Sequence, residues 1–285
     1  MLRRGRGRSR LRTESKRGVL GWPGWLVPLG LAALLAGCPG AGGAGAGEPD
    51  QLAQAEYGLA QDAFKRGKPR EALEHVQKAL EIDDHNADAA YLGAAVYLAF
   101  CALDEHSPDC RYGEAERLAR MAVDAAPEMR DAKNVLGVIL VNERRYEEAI
   151  AVLEPLAKDI IYASPEKAWG NLGWAYLRAG KTDQAIAALS RAVAAQPNYC
   201  VGLYWLGVAY QKKGQHQAAR EALTRALEVP SGDCGRQQDA VAARAESLKA
   251  LGLVDEARTD LERCRDLEPK TAVGKKCANA LEAPK

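Results

Sequence analysis

The sequence lacks a run of apolar residues long enough to cross a bilayer. Its densest apolar part, Leu26 to Ala36, is 11 residues, against the ~20 that a spanning helix needs. Pro23, Pro28 and several glycines interrupt its flank. A polytopic membrane protein is excluded, and an uncleaved membrane anchor is disfavoured. The part that follows has no HExxH, GxSxG, GxxxxGKS/T or GxGxxG signature, and the chain has only 4 His and 2 Phe in 285 residues. No enzyme, no cofactor and no metal site is therefore expected. His75, His85 and His216 stand alone in helical or turn contexts, and Asp83-Asp84-His85 reads as a polar turn at the end of a repeat. There is also no glycine period of a fibre, and 47% apolar against 27% charged residues is too rich in apolar groups for a mainly disordered polymer.

Charge is nearly balanced overall but unevenly placed. Residues 1–37 hold 8 Lys/Arg and 1 Glu, leaving 31 basic and 37 acidic groups for the rest, a net of −6. A mildly acidic folded part without basic stripes argues against nucleic acid as a partner. The basic residues 1–17, followed by the apolar stretch Val19 to Gly37, have the order of a secretory signal. Leu35-Ala36-Gly37-Cys38 then resembles the lipobox of bacterial lipoproteins. That resemblance implies a signal peptide over 1–37, lipidation of Cys38 as the first mature residue, and attachment to the membrane through that lipid. By analogy with lipoprotein sorting in enteric bacteria, Pro39 rather than Asp after the cysteine implies the outer membrane. Residues 38–52, rich in Gly and Ala, are expected to be a flexible tether with a reach of about 20 Å.

From there the chain repeats itself. An early small residue recurs at Ala60, Gly93, Gly137, Gly173, Gly207 and Ala245, with spacings of 33, 44, 36, 34 and 38. A later one recurs at Ala72, Ala115, Ala149, Ala185, Ala219 and Ala257, and seven residues on come Ala79, Ala122, Leu156, Ala192, Ala226 and Cys264. Small residues at these points let two antiparallel helices approach closely. Gly67, Gly180, Gly214 and Gly252 suit the turn between them, while Pro127, Pro197 and Pro269 end the second helices. The pattern resembles the tetratricopeptide repeat. It predicts an all-α fold, a right-handed superhelical solenoid of about six helix-turn-helix repeats over 53–85, 86–129, 130–165, 166–199, 200–237 and 238–269. A capping helix and tail would occupy 270–285. The second repeat carries ten extra residues at its turn, and Pro155 should kink or shorten the second helix of the third.

Six cysteines remain besides Cys38, an even number that suits disulfides in an exported chain. Repeat geometry favours Cys101 with Cys110, Cys200 with Cys234, and Cys264 with Cys277, the first stapling the insertion and the last clamping the terminal helix. Zinc held by Cys101, His106 and Cys110 matches no standard spacing.

In the tetratricopeptide family the first helices line a concave surface. The resemblance places Tyr57, Gln61, Phe64, Ala90, Ala94, Tyr97, Asn134, Val138, Val141, Gly170, Trp174, Leu177, Tyr204 and Val208 there. Of these, Tyr57, Phe64, Tyr97, Asn134, Val138, Trp174, Leu177, Tyr204 and Val208 are the candidate partner-binding residues, suited to an amphipathic helix or extended peptide. Trp169 and Tyr176 fall at positions that pack within the hairpin.

Asn134, Gly137, Arg145-Tyr146-Glu147-Glu148-Ala149, Asp159, Tyr162 and Asn171-Leu172-Gly173 together resemble the type IV pilus pilotin lipoproteins, the PilF/PilW/Tgl group. The family plan of lipobox, short tether and six repeats is similar too. The disulfides and the insertion depart from its better-known members. The resemblance implies a lipid-anchored protein of the outer membrane, facing the periplasm, that binds pilus secretin subunits and promotes their localisation or assembly into a multimer. The alternative is a scaffold lipoprotein of another envelope machine, for outer-membrane protein assembly or regulation of peptidoglycan enzymes.

Overall fold

The structure, a computed structural model, describes residues 48–230 and 237–282. The signal peptide, Cys38, the tether up to residue 47 and Cys234 lie outside the described residues. Thirteen helices and no strand are found among the described residues. Six antiparallel hairpins follow one another: α1 (Glu48–Lys65) with α2 (Pro69–Ile82), α3 (Ala87–Leu103) with α4 (Tyr112–Ala125), and α5 (Arg130–Asn142) with α6 (Tyr146–Ala157). Next come α7 (Pro165–Arg178) with α8 (Thr182–Ala195), α9 (Cys200–Lys212) with α10 (His216–Glu228), and α11 (Gln237–Ala250) with α12 (Val254–Leu267). A final helix, α13 (Ala272–Glu282), packs on the last hairpin.

The small or apolar residues that mark the repeat in sequence lie inside the hairpins in space. All eighteen of them, three in each hairpin, are buried. One continuous core runs from Ala90 in α3 to Val229 just after α10, with smaller apolar clusters at either end of the solenoid. Each hairpin thus buries one face against its partner helix and a second against the next hairpin, so that no repeat holds its core alone.

Four inter-helix turns pass through left-handed backbone at Gly67, Gly180, Gly214 and Gly252, with φ of 72° to 79°. In the third hairpin the same conformation falls on Arg144, at φ 64°. A side chain there costs about 1 kcal/mol that glycine avoids, and the Arg144 side chain is exposed. Arg144→Gly is accordingly expected to stabilise the fold by about 0.5–1 kcal/mol, read as a higher urea midpoint with an unchanged slope.

Three details bear on the sequence reading. Helix α1 begins at Glu48, inside the 38–52 stretch assigned to the tether. Pro49 sits in its first turn with a preset φ, and Asp50 favours the positive end of the helix. Pro155 falls in the last turn of α6, which stops at Ala157 after 12 residues, where α2, α4 and α8 run to 14. Cys101 is bonded to Cys110 across the α3–α4 insertion, and Cys264 to Cys277 between α12 and α13. Because the sulfurs of Cys101 and Cys110 are joined to each other, they are not thiolates for zinc.

Candidate functional site

The first helices meet one another through a row of polar and aromatic contacts. Asn171 of α7 donates its Nδ2 to Asn134 Oδ1 of α5 at 2.9 Å. One turn further along α7, Trp174 stacks on Trp205 of α9, with ring centroids 5.7 Å apart and planes 21° from parallel. Tyr204 leans on Trp205 at 4.8 Å. Lys212 reaches from α9 to the Leu177 carbonyl at 3.4 Å, and Gln211 donates to Ala243 O and Ser247 Oγ of α11 at 2.6 and 2.8 Å. The Trp174 indole nitrogen is buried with no acceptor. A buried donor left unmade costs about 1–3 kcal/mol, so this wall carries an unmet hydrogen-bond demand beside a half-buried aromatic stack.

The sequence-chosen residues divide. Asn134, Val138, Trp174, Tyr204 and Val208 are half-buried on α5, α7 and α9, and the row of contacts joins Asn134, Trp174 and Tyr204. Tyr57 and Phe64 lie half-buried on α1 against a separate apolar cluster. Leu177 is corrected: at 1% exposed it belongs to the main core and offers only its carbonyl. Tyr97 is half-buried and lines a cleft of about 480 Å³ whose other walls come from α2, the turn after it and α4, with residues such as Leu73, Gln77 and Met121. Ala90, Ala94, Val141 and Gly170 are buried as well. The reason is the same for all of these: counting along a repeat fixes the side of a helix, while the depth of the neighbouring helix fixes what that side meets. Gly170 and Gly202 clear room for the Tyr199 ring, which a Cβ at either would approach to 2.6 or 2.5 Å. Burial, and secondarily Glu166, pushes the Tyr199 hydroxyl up to about 12.

Trp205 escaped the sequence reading, although it follows a chosen residue directly. Its signal was the pairing of a sixth position in one repeat with a ninth in the repeat before. Trp169 does pack on the core, as its position required, and Arg191 of α8 covers its other face at 4.5 Å.

The residues that carry the family resemblance have a structural explanation. Arg145 Nη1 bonds Glu116 of the preceding hairpin at 2.6 Å and its Nη2 bonds Glu148 at 2.6 Å. Against the opposing effect of burial, Arg120 and then Arg145 hold the Glu116 carboxyl below its ordinary range, and Arg145 does the same for Glu148. Arg130 Nε reaches Asp159 at 2.6 Å, and the Tyr162 hydroxyl donates to Asp131 at 2.8 Å. Together with Asn134 and Asn171, they lock the third hairpin to both neighbours. Asp83, Asp84 and His85 do lie together, with their ligand atoms within 4.8 Å, as a polar turn in which Asp83 is half-buried and the other two are exposed.

Residues 111–164, 154–200 and 171–233 match the family model of the tetratricopeptide repeat. That stretch of the chain is built of tetratricopeptide repeats. Such repeats are protein-interaction scaffolds. The type IV pilus assembly protein PilF of Pseudomonas aeruginosa is 29% identical over 138 residues, 48% of this chain and 50% of PilF. Superkiller complex protein 3 of Homo sapiens is 30% identical over 162 residues, 55% of this chain and 10% of that protein. The chain thus spans half or less of the length of these curated relatives. Among solved structures, PilW, a type IV pilus biogenesis factor, superposes with a TM-score of 0.67 at 22% identity, covering 79% of this chain and 98% of PilW. PilF of Pseudomonas aeruginosa gives 0.63 at 21%, covering 81% and 99%. At these identities the likeness to the solved structures is one of fold. No helix among the described residues is long and apolar enough to cross a membrane.

Proposed function

We propose that this protein is a pilotin: a lipoprotein of the outer membrane that captures type IV pilus secretin subunits and promotes their assembly. The observation that carries the reading is the 138-residue similarity to PilF at 29% identity. The half-buried Trp174–Trp205 stack, with its unsatisfied indole N–H, supports it by giving the first helices a surface suited to a peptide. The lipobox at Cys38 supplies the other half of the mechanism. A lipid at that residue would hold the scaffold at the bilayer, and a secretin segment on the first-helix wall would then be concentrated where it must insert.

The decisive experiment pairs two variants. Cys38→Ala should leave a folded protein that fractionates away from the outer membrane, in cells with few secretin multimers. Trp174→Ala should keep the fold and weaken binding to purified secretin subunits about tenfold or more, as loss of a central aromatic anchor does. Normal multimers in Cys38→Ala cells, or unchanged affinity at Trp174→Ala, would remove the anchor or the wall from the mechanism.

A further inference from the structure

The α6–α7 loop displays the most exposed large apolar side chains of the third and fourth hairpins. Ile160 is 97% exposed and Ile161 69%. The loop is nonetheless held from both sides. Asp159 accepts the Ile161 N–H at 3.0 Å on its side chain and the Tyr162 N–H at 3.2 Å on its carbonyl, while Arg130 and Asp131 fix Asp159 and Tyr162. The Ile161 N–H and then the Arg130 guanidinium hold the Asp159 carboxyl below its ordinary range. The two isoleucines between these anchors contribute nothing to the core, so the fold does not account for them.

Beside Ile160 opens a cleft of about 460 Å³, walled by Ala157, Lys158, Asp159, Pro165, Trp169 and Arg191. Its charges are unevenly matched. Lys158 is paired with Glu154 at 2.7 Å and Asp159 with Arg130 at 2.6 Å. Arg191 lies over the Trp169 ring at 4.5 Å and has no carboxylate partner among the described residues. The complement of this surface is an apolar side chain with an anionic group beside it. A bilayer is flat and offers nothing convex to fill the recess, which favours a polypeptide. Trp169 and Trp174 are five positions apart on α7, so the cleft lies on a different face of that helix from the Trp174–Trp205 stack.

We propose that the α6–α7 loop and its cleft form a docking point for a partner segment that sets an apolar side chain against Ile160 and Ile161 and a carboxylate on Arg191. The site does not depend on the partner being a secretin.

The chain has six isoleucines and five tryptophans, so methyl and indole NMR of the intact protein resolves the site. The probes are blocked peptides that place Leu and Glu at adjacent, alternate or i,i+3 positions, each with its Glu→Gln counterpart. At least one Glu peptide should shift the Ile160, Ile161 and Trp169 signals saturably and leave Trp174 unmoved. It should bind about fivefold or more tightly than its Gln counterpart. Arg191→Gln should erase that difference, and Ile160→Ser with Ile161→Ser should weaken both peptides, with thermal melts checking that these surface variants fold. No shift by any peptide, or equal binding of every Glu and Gln pair, overturns the proposal. So does movement of the same signals on dilution, which would mean a second copy, or with anionic phospholipid vesicles but no peptide, which would mean a membrane surface.

Discussion

Arg244→Ala is expected to destabilise the C-terminal hairpin by about 3–5 kcal/mol, because it strands a buried carboxylate. Asp260 of α12 is 4% exposed. Arg244 of α11 grips it with two parallel bonds of 2.7 Å, and its third nitrogen reaches Thr224 of α10 at 3.3 Å. The bonds to Asp260 raise the pKa of the guanidinium above its ordinary value, against the opposing effect of burial. Without the arginine, the carboxylate must ionise in a poor solvent, take up a proton or pull its helix open. Since repeats are coupled mainly to their nearest neighbours, the loss should appear as faster amide exchange across α11 to α13, with α5 to α8 little changed. Replacing both residues, as Arg244→Leu with Asp260→Leu, should recover most of the stability, because no charge is then left without a partner. A double variant as unstable as Arg244→Ala would show that the residues act through shape rather than charge.

Leu153→Ala should cost about 2–5 kcal/mol, the range for emptying a fully buried leucine site. Leu153 is 0% exposed and presses on α5 where Gly137 faces it. A Cβ built at Gly137 would lie 2.4 Å from Leu153 Cγ, so Gly137→Ala alone should destabilise despite the gain of about 1 kcal/mol in helix propensity. In the Leu153→Ala background the obstruction is gone. Gly137→Ala should there become stabilising, and a double-mutant cycle by urea unfolding would read the change of sign directly. Additive effects would mean that α5 and α6 shift apart to accommodate the methyl group, and that the crossing is looser than its geometry indicates.

The same glycine and leucine arrangement recurs, with Gly173 facing Leu189 and Gly207 facing Leu223. Each leucine comes sixteen residues after its glycine and four after the invariant alanine of its hairpin. Such spacing was available in the sequence, and it explains why the fold could be read from it. Burial at a helix crossing demands a small residue at a fixed interval, so the packing requirement is written locally and six times over. The two disulfides between described cysteines were legible for the same reason, because their partners are 9 and 13 residues apart and local geometry brings them together.

The site was only partly legible. The resemblance to the tetratricopeptide repeat assigned Trp174 and Asn134 to the first-helix wall, but it could not see that Trp205 would stack on Trp174 or that Asn171 would bond Asn134. Nor could it tell that Leu177 would be sealed in the core while Ile160 stood free. By itself the sequence determined the class of fold and the hairpin crossings, because these follow from helical period and from small residues repeated at a fixed interval. Only the tertiary structure decided which side chains face solvent and that Arg191 has no carboxylate partner among the described residues. Exposure depends on how far each neighbouring helix reaches across the gap, and that distance is set by side chains some thirty residues away.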